Sequence, residues 1–156
     1  MCIAISSLLF IAAVMVVSYA FLGNHVSKEA KETFQMLKKC LNDTNLSTNV
    51  VELVIPDGTC NDVDKTVFDL GAFNRLRRFY VGSFSLGSIR TVKICNLNGI
   101  QKIVFKEGSF MRENGELHIE NCRFMRELTI QDKAFSAFTR LHLARLPALQ
   151  RLTIGA

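Results

Sequence analysis

The sequence predicts a repeat solenoid, mainly β, with two short strands in each coil of about 24–25 residues. Three observations lead there. The stretch Leu128 to Ile154, LTIQDKAFSAFTRLHLARLPALQRLTI, holds two alternating runs, LTI and LHL, the pattern of half-buried strands. A three-residue beat, Leu143, Leu146, Leu149, then leads into LTI again. Finally, the same sequence of signals recurs upstream at intervals of 24 to 26 residues.

The first strand of each coil is marked by Leu53 and Ile55, Phe79 and Val81, Ile103 and Phe105, Leu128 and Ile130, Leu152 and Ile154. The second is marked by Phe68 and Leu70, Val92 and Ile94, Leu117 and Ile119, Leu141 and Leu143. Phe73, Leu97, Cys122 and Leu146 follow three residues later, and Leu76, Ile100, Met125 and Leu149 three after that. A seventh column is read as Cys60, Phe84, Phe110 and Phe135, each behind a small residue: Thr59, Ser83, Ser109 and Ala134. A single coil cannot bury such a face, whereas stacked coils bury a continuous core. Gly82, Gly108 and Gly155 each follow a strand closely, at corners expected to need a permissive backbone.

The segments LPALQRLTI and LNGIQKIVF resemble the L-x-x-L-x-x-L-x-I rhythm of a leucine-rich repeat. The second strand and the Phe column resemble the irregular, BspA-type variant of surface proteins. The resemblance spans Val51 to Ala156, with Gly58, Gly108 and Lys133 where that family carries its Asn ladder. It implies a binding scaffold without catalysis. Residues 51–156 are thus expected to form about four coils with an open C-terminal end, because the last residues follow a strand pair directly.

Cys2 to Leu22 carries no charge, and as a helix it would extend about 32 Å, enough for a bilayer core of about 30 Å. Residues 1–22 are therefore expected to be a transmembrane anchor. A cleaved signal peptide is the competing reading, supported by Ser18-Tyr19-Ala20 and opposed by the length of the apolar run. Residues 23–50 read as a juxtamembrane segment. Val26, Ala30, Phe34, Leu37 and Leu41 keep the spacing of an amphipathic helix, Ser27 is its expected N-cap, and the helix would cap the first coil. The polar loop that follows holds two glycosylation acceptors, Asn42 and Asn45. A Cys40–Cys60 disulfide could staple this segment to the first coil; Cys95 and Cys122 fall at or beside core positions.

Outward strand positions are where a solenoid of this kind would bind. The candidates are Arg78, Tyr80, Lys102, Thr129 and Arg151 on the first strands, with Lys93, His118 and His142 on the second. His118 and His142 would stand side by side, yet no carboxylate or Cys shares their column, so they read as solvated histidines and no metal site is expected. No nucleophile and base recur at a useful spacing, so neither enzyme activity nor a cofactor is expected. The formal charge of +5 is mild, and no aromatics are interleaved with the basic residues, which argues against nucleic acid.

The expected function is membrane-tethered recognition of a protein, or of a glycan. The alternative is a structural module or array segment that self-associates. Lys28, Lys31, Lys38 and Lys39 place the repeats on the cytoplasmic side by the charge rule, while the acceptor sites and the BspA resemblance favour the extracellular or lumenal side. A single-pass protein with its repeats outside is the expectation.

Overall fold

The computed structural model describes residues 47–61 and 65–156, and the backbone of residues 34–36. Phe34–Ala156 packs as one compact unit. It is a mainly β, parallel solenoid of about four turns, and no helix occurs among the described residues.

One sheet contains β1 (Phe34–Met36), β2 (Glu52–Ile55), β4 (Arg78–Val81), β6 (Lys102–Phe105), β8 (Glu127–Ile130) and β10 (Arg151–Ile154), in that spatial order. The other contains β3 (Val67–Asp69), β5 (Thr91–Cys95), β7 (Gly115–Glu120) and β9 (Phe138–Ala144). All pairings are parallel, and the strand columns read from the sequence are the observed register: Leu53, Phe79, Ile103, Leu128 and Leu152 are successive partners. Phe68, Val92, Leu117 and Leu141 are partners in the second sheet.

The core lies between the two sheets. Phe68 stacks on Phe79 across it, with ring centroids 5.7 Å apart. Phe79, Phe105, Phe110 and Phe135 continue the contact along the axis, ending in a parallel Phe110–Phe135 pair at 4.7 Å. Phe79, Phe105 and Phe110 are fully buried. Offset and edge-on ring pairs of this kind add to the area term, which is already large for aromatic residues.

The corners correct part of the sequence reading. In the second coil the core position belongs to Leu86, not Phe84: Leu86 is fully buried, and Phe84 is 56% exposed. The column is therefore Cys60, Leu86, Phe110 and Phe135, behind Thr59, Ser85, Ser109 and Ala134. Its members share a left-handed backbone, with φ of 66°, 59°, 56° and 58°. That conformation turns each amide along the axis, so that Leu86 N–H donates to Thr59 O, Phe110 to Ser85 and Phe135 to Ser109. The hydroxyls before them satisfy the buried corner: Thr59 and Ser85 both donate to Pro56 O at 2.7 Å, and Ser109 to Lys106 O at 2.9 Å. Gly58, Phe84, Gly108 and Lys133 form a second left-handed column two residues earlier. Phe84 lies over Gly108, where an added Cβ would come within 2.5 Å of its ring.

Of the three corner glycines, only Gly108 has positive φ. Gly82 and Gly155 are needed for space instead. A Cβ at Gly82 would stand 2.4 Å from Asp57 N, and one at Gly155 2.5 Å from Asp132 N.

The helix expected over Val26–Leu41 is overturned at Phe34–Met36, which forms β1 and pairs with Glu52–Val54. The edge of β2 offers unpaired N–H and C=O groups; a strand satisfies them, and the side chains of an amphipathic helix would not. The rest of that helix, its cap Ser27, the anchor at residues 1–22 and the acceptors Asn42 and Asn45 lie outside the described residues. Among the described residues no helix is long and apolar enough to cross a membrane. Cys60 is disulfide-bonded, while Cys95 and Cys122 are free thiols; Cys40, its expected partner, lies outside the described residues.

At the C-terminal end the inward-facing Leu141, Leu152 and Ile154 are 51%, 46% and 54% exposed, and nothing among the described residues covers them.

The corrected corner makes a direct prediction. Leu86→Ala should cost about 2–5 kcal/mol, because it opens a cavity in a closed layer. Phe84→Ala should cost at most about 1 kcal/mol, as expected for a side chain largely in solvent. Urea melts of the two variants check this, and the reverse order would return Phe84 to the core column.

Candidate functional site

The eight residues singled out from the sequence fall on two outward faces, not one. Arg78, Tyr80, Lys102, Thr129 and Arg151 stand on the first sheet, and Lys93, His118 and His142 on the second. Because the sheets enclose the core between them, these faces point away from each other.

On the first face, register brings Val54, Tyr80, Val104, Thr129 and Thr153 into one column. All but Thr153, on the edge strand, are half-buried, since neighbours about 4.8 Å apart shade one another. The adjacent column is Glu52, Arg78, Lys102, Glu127 and Arg151, a ladder of both signs. Arg78 reaches Glu52 at 2.7 Å, while Glu127 takes Lys102 at 3.2 Å and Arg151 at 3.6 Å. The three basic residues expected to be offered to a partner are thus held by carboxylates one coil away. Each such exposed pair contributes little to stability. Their effect is to hold the long side chains flat against the sheet and to lower the local excess of charge.

On the second face, His118 and His142 are register partners with ring centroids 5.7 Å apart. No carboxylate adjoins the pair in their own column, but one in the neighbouring column reaches His118: Glu116 Oε2 lies 3.3 Å from His118 Nε2 and 3.7 Å from Arg140 Nη1. The hydrogen bond from His118, chiefly, holds the Glu116 carboxyl below its usual range. The residue spacing contained this signal, because Glu116 and His118 are two apart on one strand and so share a face. Among the described residues no group of three or more His, Cys, Asp or Glu side chains is arranged to hold a metal ion. Lys93 is exposed and is His118's partner on the other side.

Beyond the second strand the structure shows a side-chain ladder that sequence reasoning sought in the wrong place. Asn96 and Asn121 are left-handed, with φ of 62° and 55°, and Asn121 Nδ2 donates to Asn96 Oδ1 at 2.7 Å. Arg145 follows in the same column and pairs with Glu120. The signal was available, since Asn tolerates this backbone better than most residues. Nearby, burial, followed by the charge of Glu120, raises the Cys95 thiol pKa, and burial does the same for Cys122. Both stay protonated at neutral pH and are poor nucleophiles.

The arrangement offers rigid, regularly spaced polar surfaces rather than an enclosed reaction chamber. The class that the fold defines is a parallel β-solenoid with two sheets. No protein-family model, no curated protein and no solved structure matches the chain.

Two predictions follow from these contacts. Asp57 accepts Ser83 N–H at 2.9 Å and is joined by Lys106 Nζ at 3.3 Å, so it ties three successive coils, and these two contacts hold its carboxyl below the usual carboxylate range. A carboxyl with a depressed folded pKa stabilises fully above its unfolded value and loses that contribution as pH falls through the folded one. Asp57→Asn should therefore lower the urea midpoint at neutral pH, and the gap should close as pH falls through the depressed pKa of the folded carboxyl. A gap that is unchanged in acid would show that the charge is not the cause. Separately, His118→Gln with His142→Gln should leave stability within about 0.5 kcal/mol at neutral pH. A melting temperature raised by zinc in the parent and not in the double variant would reveal a metal site.

Proposed function

We propose that the protein is a membrane-tethered scaffold of the leucine-rich-repeat kind that recognises a protein partner through the outer face of its first sheet. The observation that carries this reading is the column Val54–Tyr80–Val104–Thr129–Thr153. It is a strip of Val, Tyr and Thr side chains, half-buried except at Thr153, bordered by a charge ladder already held in place. A surface whose side chains are pre-ordered loses less entropy on binding. The uncharged run at residues 1–22 supplies the tether. The Cys60 disulfide supports an extracellular or lumenal position against the charge rule, because such bonds persist in oxidising compartments. The acceptors Asn42 and Asn45 point to the same side.

A second reading, a structural module that self-associates, is favoured by the exposed Leu141, Leu152 and Ile154 at the last coil.

The test places p-benzoylphenylalanine at Tyr80, at Thr129 or, as a control, at Arg112 in the full chain on intact cells. Light should yield a discrete adduct with another protein from the first two positions and none from Arg112. An adduct of twice the chain's mass would favour self-association instead. No adduct from either face position would sink the recognition reading.

A further inference from the structure

Among the described residues, four of the exposed arginines that make no ion pair line one edge of the solenoid. Residues 51–156 hold 15 Lys and Arg against 11 Asp and Glu. Arg75, Arg77, Arg123 and Arg126 are all exposed, and among the described residues no carboxylate lies within ion-pairing distance of any of them. All four belong to the turns that carry the chain from the second sheet back to the first.

Those turns are built alike. Hydrogen bonds from Leu76 to Phe73, Ile100 to Leu97, Met125 to Cys122 and Leu149 to Leu146 each enclose two tip residues. The tips are Asn74-Arg75, Asn98-Gly99, Arg123-Phe124 and Pro147-Ala148. Just past them Arg77, Gln101, Arg126 and Gln150 form an exposed column, joined by backbone bonds of 2.8, 2.8 and 2.9 Å. At the spacing of parallel strands, Arg77 and Arg126 stand about 10 Å apart with an amide between them. Phe124, 59% exposed, lies between Arg123 and Arg126 in sequence. A shallow groove lined by Asn121, Arg123, Arg145 and Pro147 runs along the same edge.

We propose that this arginine edge binds a linear sulfated polysaccharide. Guanidinium groups grip sulfate and carboxylate oxygens through paired N–H donors. The interleaved Gln and Asn amides can both donate to and accept from sugar hydroxyls. Phe124 offers a flat apolar surface to a sugar ring. The straight column suits a linear polymer whose anions repeat at intervals, and an edge with a single aromatic lacks the successive stacking platforms that single-stranded nucleic acid uses. The inference rests on the recognition reading for its compartment, which the Cys60 disulfide supports. It uses a different surface, so failure of cross-linking at Tyr80 leaves it standing.

The test uses the full chain in detergent and a fluorescent heparin oligosaccharide, with binding followed by anisotropy over a salt series. One variant carries Arg75→Gln, Arg77→Gln, Arg123→Gln and Arg126→Gln. A second removes the same charge elsewhere, with Lys65→Gln, Arg90→Gln, Arg112→Gln and Lys133→Gln. The edge variant should bind at least about tenfold more weakly, with a shallower salt dependence, and the second should stay within about twofold of the parent. Equal losses in both variants would reduce the effect to bulk charge and overturn the proposal. It is equally overturned if heparin does not bind, or if single-stranded DNA or phosphatidylserine vesicles bind the same edge as tightly.

Discussion

Each coil is held to the next by parallel backbone hydrogen bonds that run along the axis, through both sheets and through the corners between them. This in-register stacking places each strand residue above its counterpart one coil earlier, apart from a shift between Gly115 and Glu116. A column must therefore keep one character throughout: an apolar residue that slips by one position would leave the core for solvent. The regularity of Leu53, Phe79, Ile103 and Leu128 is the chemical consequence, and the aromatic contacts from Phe68 to Phe138 are its yield in packing.

The same stacking explains a costly backbone. Non-glycine residues in the left-handed region each cost of the order of 1–3 kcal/mol. The corners nevertheless hold Cys60, Leu86, Phe110 and Phe135 there, one per coil. The conformation aims the amides of Leu86, Phe110 and Phe135 at the preceding coil and the side chains of all four at the core. Buried hydrogen bonds and apolar burial thus offset the strain at one position. Glycine there would relieve the backbone and empty the core.

The ladders also sort the charges. Where acids and bases alternate along a column, as in Glu52, Arg78, Lys102, Glu127 and Arg151, they neutralise one another. Where they do not, as at Arg77, Gln101, Arg126 and Gln150, positive charge accumulates along an edge. A mild net charge spread over a sphere would mean little. Four arginines along one edge of the repeats, unpaired among the described residues, give part of that charge a direction.

The sequence by itself determined the period, the two strands per coil and six of the seven core columns, because alternation and spacing are local properties that a repeat multiplies. It misplaced one member of the seventh column, Phe84, while Cys60, Phe110 and Phe135 stand where it put them. Phe84 and Leu86 are both apolar and two residues apart, and only the bonds of Leu86 to Thr59 and Phe110 to Ser85 decide which one points inward. It read a helix across Phe34–Met36, where the free edge of β2 imposes a strand, since an edge acts through tertiary contact and leaves no mark on local periodicity. The candidate face was legible residue by residue. Its charge state was not, because Arg78 and Glu52, or Lys102 and Glu127, lie a full coil apart in the chain and become neighbours only when the coils stack.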